Sequence, residues 1–312
     1  VSNASSAGVH RRSLDDAPVR VVSARANLRT RLRNLWSRRE LLTSLIFSDI
    51  RIKYKNSALG IFWSMLSPAL TLGIYDLVFS VITKNGYPDF ALYLFSGLVV
   101  WNMFQNAVNM ATGVIVDRAG LVKKVSFPRE ILALANVGAA VVYFAIQLGV
   151  LVLFMLALGR SPAWGFIWIL PISFITLYLL TASVAIVMSA VTVYLRDMKH
   201  LMEVLLQLWF WLSPVVYSYQ HTIAQRLHAH GLTWMYFLNP ITPIIITFQR
   251  IFYVKTNVVS TNVGHPMLNI LPQWTMSTFF YMNISLLAIM VVIFLLALTL
   301  FGRLEGNFES EL

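Results

Sequence analysis

The sequence predicts an all-α polytopic membrane protein with six transmembrane helices, an N-terminal amphipathic interfacial helix and outer re-entrant helices. Three observations predict it. Apolar runs of twenty or more residues recur from residue 59 onward. Only 12% of the 312 residues are charged, and mean hydropathy is +0.70. Arg and Lys gather before residue 60 and in alternate connections between the apolar runs. A soluble core cannot hide so many continuously apolar helices. Lipid admits only helices or closed barrels, because every backbone polar group must be satisfied internally. Barrel strands would alternate over about ten residues, and these runs do not.

Residues 1–35 are rich in Ser, Ala and Arg without periodicity, which predicts a disordered basic tail. Residues 36–56 differ. Trp36, Leu41, Leu42, Leu45, Ile46, Ile50 and Ile52 can form an apolar stripe, with Arg38, Arg39, Glu40, Asp49, Arg51, Lys53 and Lys55 on the polar side. This pattern predicts an amphipathic helix lying in the membrane interface. The first span covers about 59–83 and contains Pro68, Tyr75 and Asp76. An aspartate there is costly, and it reads as a packing partner or a boundary residue in preference to an ion-coupling site. Residues 84–89, KNGYPD, form a short external turn.

The second span, about 90–116, carries Trp101, Asn102, Phe104, Gln105, Asn106 and Asn109 at helical spacing, so one face turns toward protein or water. The polar island Asp117–Glu130, DRAGLVKKVSFPRE, follows. It reads either as a topogenic loop or as a short charged surface that contacts something soluble. Span three covers about 131–158, and GRSPAWG at 159–165 is an external connection. Span four runs over about 166–194, YLRDMKH at 194–200 returns to the island's side, and span five covers about 201–217. Residues 218–280 hold four prolines and the amphipathic stretch NPITPIIITFQRIFY, and read as external or re-entrant helices. The sixth span runs over about 281–301, so the membrane domain occupies 57–304 and a short tail 305–312.

Charge orients this scheme. With both ends inside, 19 Arg and Lys lie on the cytoplasmic side and five outside. That is the positive-inside distribution of a multi-pass plasma-membrane protein. The basic amino end suits anionic membrane lipid better than nucleic acid, for which no folded recognition motif is present.

Catalytic signatures are missing. There is no cysteine, no GxxxxGK[ST] phosphate loop and no HExxH. The chain is therefore expected to hold no cofactor and no catalytic site of its own. His221, His228 and His230 read as polar surface; HxH alone is a weak metal signal. Aromatic residues total 41, and Trp209, Phe210, Trp211 and Tyr217 cluster in span five, with Trp101 and Phe104 in span two. Such faces can stack on sugar rings while neighbouring amides exchange hydrogen bonds. Packing and interfacial belts use the same residues.

Four stretches carry a family resemblance. They are DIRIKYKNSALGIFWSMLSPAL at 49–70, GLVKKVSFPREILALA at 120–135, VYLRDMKHLMEVLLQLWFWLSPVVY at 193–217 and FLNPITPIIITFQRIFY at 237–253. Their order and spacing make the chain similar to the permease subunits of ABC-2 type polysaccharide, O-antigen and teichoic-acid exporters, the galactan exporters among them. The resemblance implies two permease copies, two separate ATP-binding cassette subunits that bind ATP and Mg, and export of a lipid-linked polysaccharide. It implies that 36–55 is an interfacial gate helix; the charges of Arg38, Arg39, Arg51, Lys53 and Lys55 there suit a pyrophosphate headgroup, and equally anionic lipid alone or the partner ATPase. It implies that 117–128 is a coupling helix, with Lys123, Lys124, Phe127, Pro128, Arg129 and Glu130 in its motif and Arg196 and Asp197 in the second loop. Residues 1–35 lie outside it. An ABC exporter of lipids or small hydrophobic compounds is the alternative.

Overall fold

A computed structural model describes residues 28–312 except 56, 58, 79–86, 225–226, 228–230 and 260–266. The expected tail before residue 28, the end of the first span, part of the 84–89 turn, Arg226, His228 and His230 lie outside the described residues.

The described chain is mostly helical. Its helices are α1 (Leu28–Ser37), α2 (Arg39–Tyr54), α3 (Trp63–Asp76), α4 (Phe90–Thr112), α5 (Val114–Asp117), α6 (Ala119–Lys124), α7 (Glu130–Ala157), α8 (Leu170–Tyr194), α9 (Met198–Trp211), α10 (Ile241–Phe252) and α11 (Met276–Leu304). Three helical stretches among the described residues are long and apolar enough to cross a membrane: Glu130–Ala157, Trp164–Tyr194 and Met276–Asn307. They coincide with spans three, four and six, and make this a multi-pass membrane protein.

Helix α4 is the centre of the fold. Every residue from Phe90 to Trp101 is buried, against α7, α8 and α10. Its 23 residues reach about 34 Å at 1.5 Å per residue, but Asn102, Gln105, Asn106 and Asn109 dilute its second half. Helix α10 has 12 residues, about 18 Å, too short to span. It is buried from Ile241 to Gln249, so its apolar surface meets protein and not lipid.

Two expectations need correction. Residues 28–35, taken as part of a disordered tail, are helical in α1, and Arg31 is buried there. Leu28, Leu32, Leu35 and Trp36 do recur at helical spacing here, a signal hidden by the Arg-rich and Ser-rich composition around it. Within 218–280, Asn257–Val259 and Met267–Asn269 pair as two antiparallel strands, with Val258 opposite Leu268. Successive β-branched residues at Val258 and Val259 favour extended backbone, and Val258 turns inward.

Helix α2 lies on α7. Ile50 packs with Ala139 and Tyr143, and Ile46 joins them, as the apolar stripe predicts; Trp36 and Ile52 stay exposed at 73% and 66%. Contact is close because Gly138 has no Cβ: one added there would stand 2.4 Å from Ile46 Cδ1. Gly138→Leu should cost about 1–3 kcal/mol through overpacking. Amide hydrogen exchange should rise across 39–54 while α8 and α11 are unchanged. Unaltered exchange in α2 would show that this contact does not hold it.

Candidate functional site

The polar island begins at the last residue of α5, turns at Arg118 and continues as the short helix α6. Val122 is buried and pins α6, while Lys123, Lys124, Leu121 and Val125 face outward. Two ammonium groups beside two exposed apolar side chains make a surface suited to a soluble protein partner.

The rest of the motif turns inward. Phe127 and Pro128 are half-buried. Arg129 lies 5.8 Å from the Phe308 ring centroid, and its Nη1 donates to the Glu305 carbonyl oxygen at 3.2 Å. Glu130, grouped above with the contact residues, is 1% exposed and paired with Arg31. A carboxylate so enclosed cannot touch a second subunit without the site opening, so its place in the motif is structural. The guanidinium of Arg31 bridges Glu130 and Glu305, reaching Glu305 Oε2 at 3.2 Å. Gly302 gives it room, since a Cβ there would stand 2.5 Å from Arg31 Cζ. This cluster ties α1, the start of α7 and the end of α11 together.

Two further ion pairs lead away from the island. Lys199, at the start of α9, reaches Asp117 at 3.1 Å, joining the two loops at this end. Both groups are exposed, so the pair sets position more than stability. Arg118 pairs with Asp49 of α2. The Asp49 side chain is 6% exposed and its Oδ2 has no hydrogen-bond partner. The sequence reading missed Asp49, Arg118, Asp117 and Lys199 as linked residues. Each had only its charge as a signal, and the partners are 69 and 82 residues apart.

Arg196 and Asp197 are exposed at the α8–α9 turn, on the same side as the Lys199–Asp117 contact. On α2, Arg39, Thr43, Phe47, Arg51 and Lys55 recur every fourth residue and are all exposed, so they share one face. Arg38 is exposed beside it. Lys53 is turned the other way, 4.2 Å from the Tyr143 ring centroid, and burial pushes its ammonium down from its ordinary value.

The aromatic candidates divide. Trp101 and Phe104 are 2% and 0% exposed. Trp101 packs on Phe210 and Phe104 on Trp209, with ring centroids 5.5 and 4.9 Å apart. In this structure both are core residues and do not line a passage. Trp209 is also fixed by its indole N–H, which donates to Asn239 Oδ1 at 2.8 Å. Tyr217 is half-buried, and its hydroxyl lies 3.0 Å from that of Tyr236. Only Trp211 is widely open, at 59%. Trp209→Ala is therefore expected to lower thermal stability by about 3–5 kcal/mol, and Trp211→Ala to leave it within about 0.5 kcal/mol. Equal losses in a denaturation series would contradict this division.

A polar stripe accompanies them. Asn102 donates to Gln147 of α7 at 3.1 Å, and Gln105 accepts from Trp101 Nε1 at 2.9 Å. Asn106 is exposed, and Asn102, Gln105 and Asn109 are half-buried. His221 lies edge-on to Tyr87, 6.2 Å between centroids.

Comparison with known proteins gives a consistent picture. The O-antigen export system permease protein RfbA of Myxococcus xanthus is 31% identical over 222 residues, 71% of this chain and 84% of the relative. A Klebsiella pneumoniae protein of the same name is 26% identical over 242 residues, 74% of this chain and 91% of the relative. The polysialic acid transport protein KpsM of Escherichia coli is 22% identical over 241 residues, 76% and 88% respectively. The ABC-2 type transporter family profile matches residues 40–253, a range that takes in α2, the island, the second loop and α10. The chain is a member of the ABC-2 type transporter family.

Proposed function

We propose that this protein is the permease subunit of an ATP-driven exporter of a lipid-linked polysaccharide, a galactan being one candidate cargo. The observation that carries the transport reading is the pair of ion bridges leaving the island, Arg118 to Asp49 and Lys199 to Asp117. The polysaccharide cargo is taken from the relatives' names. Helices α4, α7, α8 and α11 act as spans, α3 and α9 form the helical part of two more with 14 residues each, α10 is re-entrant, and both chain ends are cytoplasmic under the positive-inside rule.

In this reading Lys123, Lys124, Arg196 and Asp197 meet an ATP-binding cassette subunit, which binds ATP and Mg. Its closure displaces the island. Arg118 passes the displacement to α2 through Asp49, and Lys199 keeps α9 in step. The exposed basic face of α2 holds an anionic lipid or a diphosphate headgroup near the cytoplasmic leaflet. A second copy completes the passage. Exposed Glu203 and Gln207 on α9 support this, because they stand among exposed leucines and polar groups in a span seldom face lipid. The glycan moves past the amides of Asn102, Gln105, Asn106 and Asn109 and past Trp211, where hydroxyls exchange hydrogen-bond partners.

Reconstitution with the cognate ATPase and candidate lipid-linked glycans tests the proposal. ATP-dependent glycan protection inside vesicles is the expected result. Lys123→Glu/Lys124→Glu should lower assembly or transport at least about tenfold, a loss of about 1.4 kcal/mol in coupling. Export that is unchanged in this variant would reject the docking role. Transport of lipids or small hydrophobic compounds without any glycan would reject the cargo.

A further inference from the structure

Helices α8 and α11 lie side by side along the membrane domain, yet they do not close fully. A groove of about 480 Å³ runs between them, lined by Val187 and Met188 on one wall and Leu296 and Leu300 on the other. Its floor is formed by small residues, Ser183 and Ala297, at 2% and 4% exposure. The Ser183 hydroxyl is already committed to the Leu179 carbonyl oxygen at 2.6 Å, so the floor offers no free donor. Leu296 and Leu300 are 61% and 43% exposed. Both helices belong to membrane-crossing stretches, so this groove opens on the hydrocarbon of the bilayer.

One cation stands at its end. Arg303 lines the groove and is exposed at the basic end of the molecule. Among the described residues its side chain has no ion-pair or hydrogen-bond partner, whereas Arg31 of α1 and Arg129 before α7 both point to Glu305, just beyond the end of α11. A guanidinium one turn beyond an apolar groove matches the amphiphile it would face: an acyl chain along the groove and a phosphate at the guanidinium. Arg suits phosphate because its donors form a planar fork.

We propose that the α8–α11 groove is a binding site for an anionic phospholipid of the adjoining leaflet, with Arg303 holding the phosphate and Val187, Met188, Leu296 and Leu300 holding one acyl chain. None of its lining residues belongs to α2, so it is separate from the headgroup contacts proposed there, and it does not depend on the identity of the exported cargo.

The test is native mass spectrometry of the full chain after delipidation, with phosphatidylglycerol or phosphatidylcholine added back. The wild-type protein should retain phosphatidylglycerol roughly fivefold better, as one basic side chain at a membrane surface provides. Arg303→Ala should lose that preference and Arg303→Lys should keep most of it. Leu296→Trp, a change on a lipid-exposed position, should weaken retention of both lipids by narrowing the groove. Retention in Arg303→Ala equal to wild type overturns the proposal. So does a polyprenyl diphosphate that displaces phosphatidylglycerol from wild type but not from Leu296→Trp, since the groove would then belong to a lipid-linked donor.

Discussion

An Arg31→Ala variant is expected to lose about 3–5 kcal/mol of stability, the cost of leaving a buried charge without its partner. The guanidinium stands between Glu130 and Glu305, whose side chains are 2% and 20% exposed. Its removal leaves two carboxylates facing one another with little water. Glu305→Gln should cost much less, because Glu130 still holds the guanidinium. Arg31→Ala combined with Glu130→Gln should recover most of the loss, since no buried charge is then stranded. Denaturant unfolding in detergent reads the stabilities, and hydrogen exchange over 28–37 reads the release of α1. Loss of α1 protection without recovery in the double variant would mean that packing, and not charge, holds the cluster.

Breaking the Arg118–Asp49 bridge should separate ATP hydrolysis from export. The two partners are not equivalent. Arg118 keeps 26% of its side chain exposed and can hydrate, whereas Asp49 keeps 6%. Arg118→Met therefore strands a buried carboxylate and should cost about 3–5 kcal/mol, but Asp49→Asn should cost less, about 1.5–3 kcal/mol, the range for a hydrogen bond to a charged group. Asp49→Asn is thus the cleaner functional probe. In the reconstituted complex, ATPase activity should stay within about twofold while export falls at least about tenfold. The charge exchange Asp49→Arg with Arg118→Asp should restore part of the export. If ATPase and export fall in parallel, the bridge supports the fold alone and carries no motion to α2.

The two clusters explain how three distant stretches of sequence act at one end of the molecule. The island meets α2 through Arg118 and α9 through Asp117, and its trailing residues Arg129 and Glu130 meet α1 and the end of α11. Displacement of the island would thus reach four helices directly. The lysines that would receive the displacing force point away from all of these contacts, toward solvent.

Several features were legible in the residues alone. The membrane class followed from apolar run length, because lipid leaves no other way to satisfy a backbone. Spans three, four and six were readable to within a few residues for the same reason. The stripe Ile46 and Ile50 located the buried side of α2, since 3.6-residue periodicity is a local property. The prominence of DRAGLVKKVSFPRE was also local: a charged segment between two apolar runs needs no tertiary knowledge to find.

Tertiary structure alone decided which members of that segment face out. Lys123 and Glu130 are both charged members of one polar segment, but one is solvated and the other is enclosed by an arginine 99 residues away. The helix at 28–37 carries a local signal in Leu28, Leu32, Leu35 and Trp36, but the partners of its buried Arg31 lie on α7 and beyond α11 and no local pattern shows them. Trp101 and Trp211 illustrate the same limit. Both sit in aromatic clusters, yet Trp101 is enclosed with the help of Phe210 from α9 while Trp211, with Phe210 against it, stays 59% exposed. Burial depends on what other helices bring to a position, and this information is spread over the whole chain and absent from any single stretch of it.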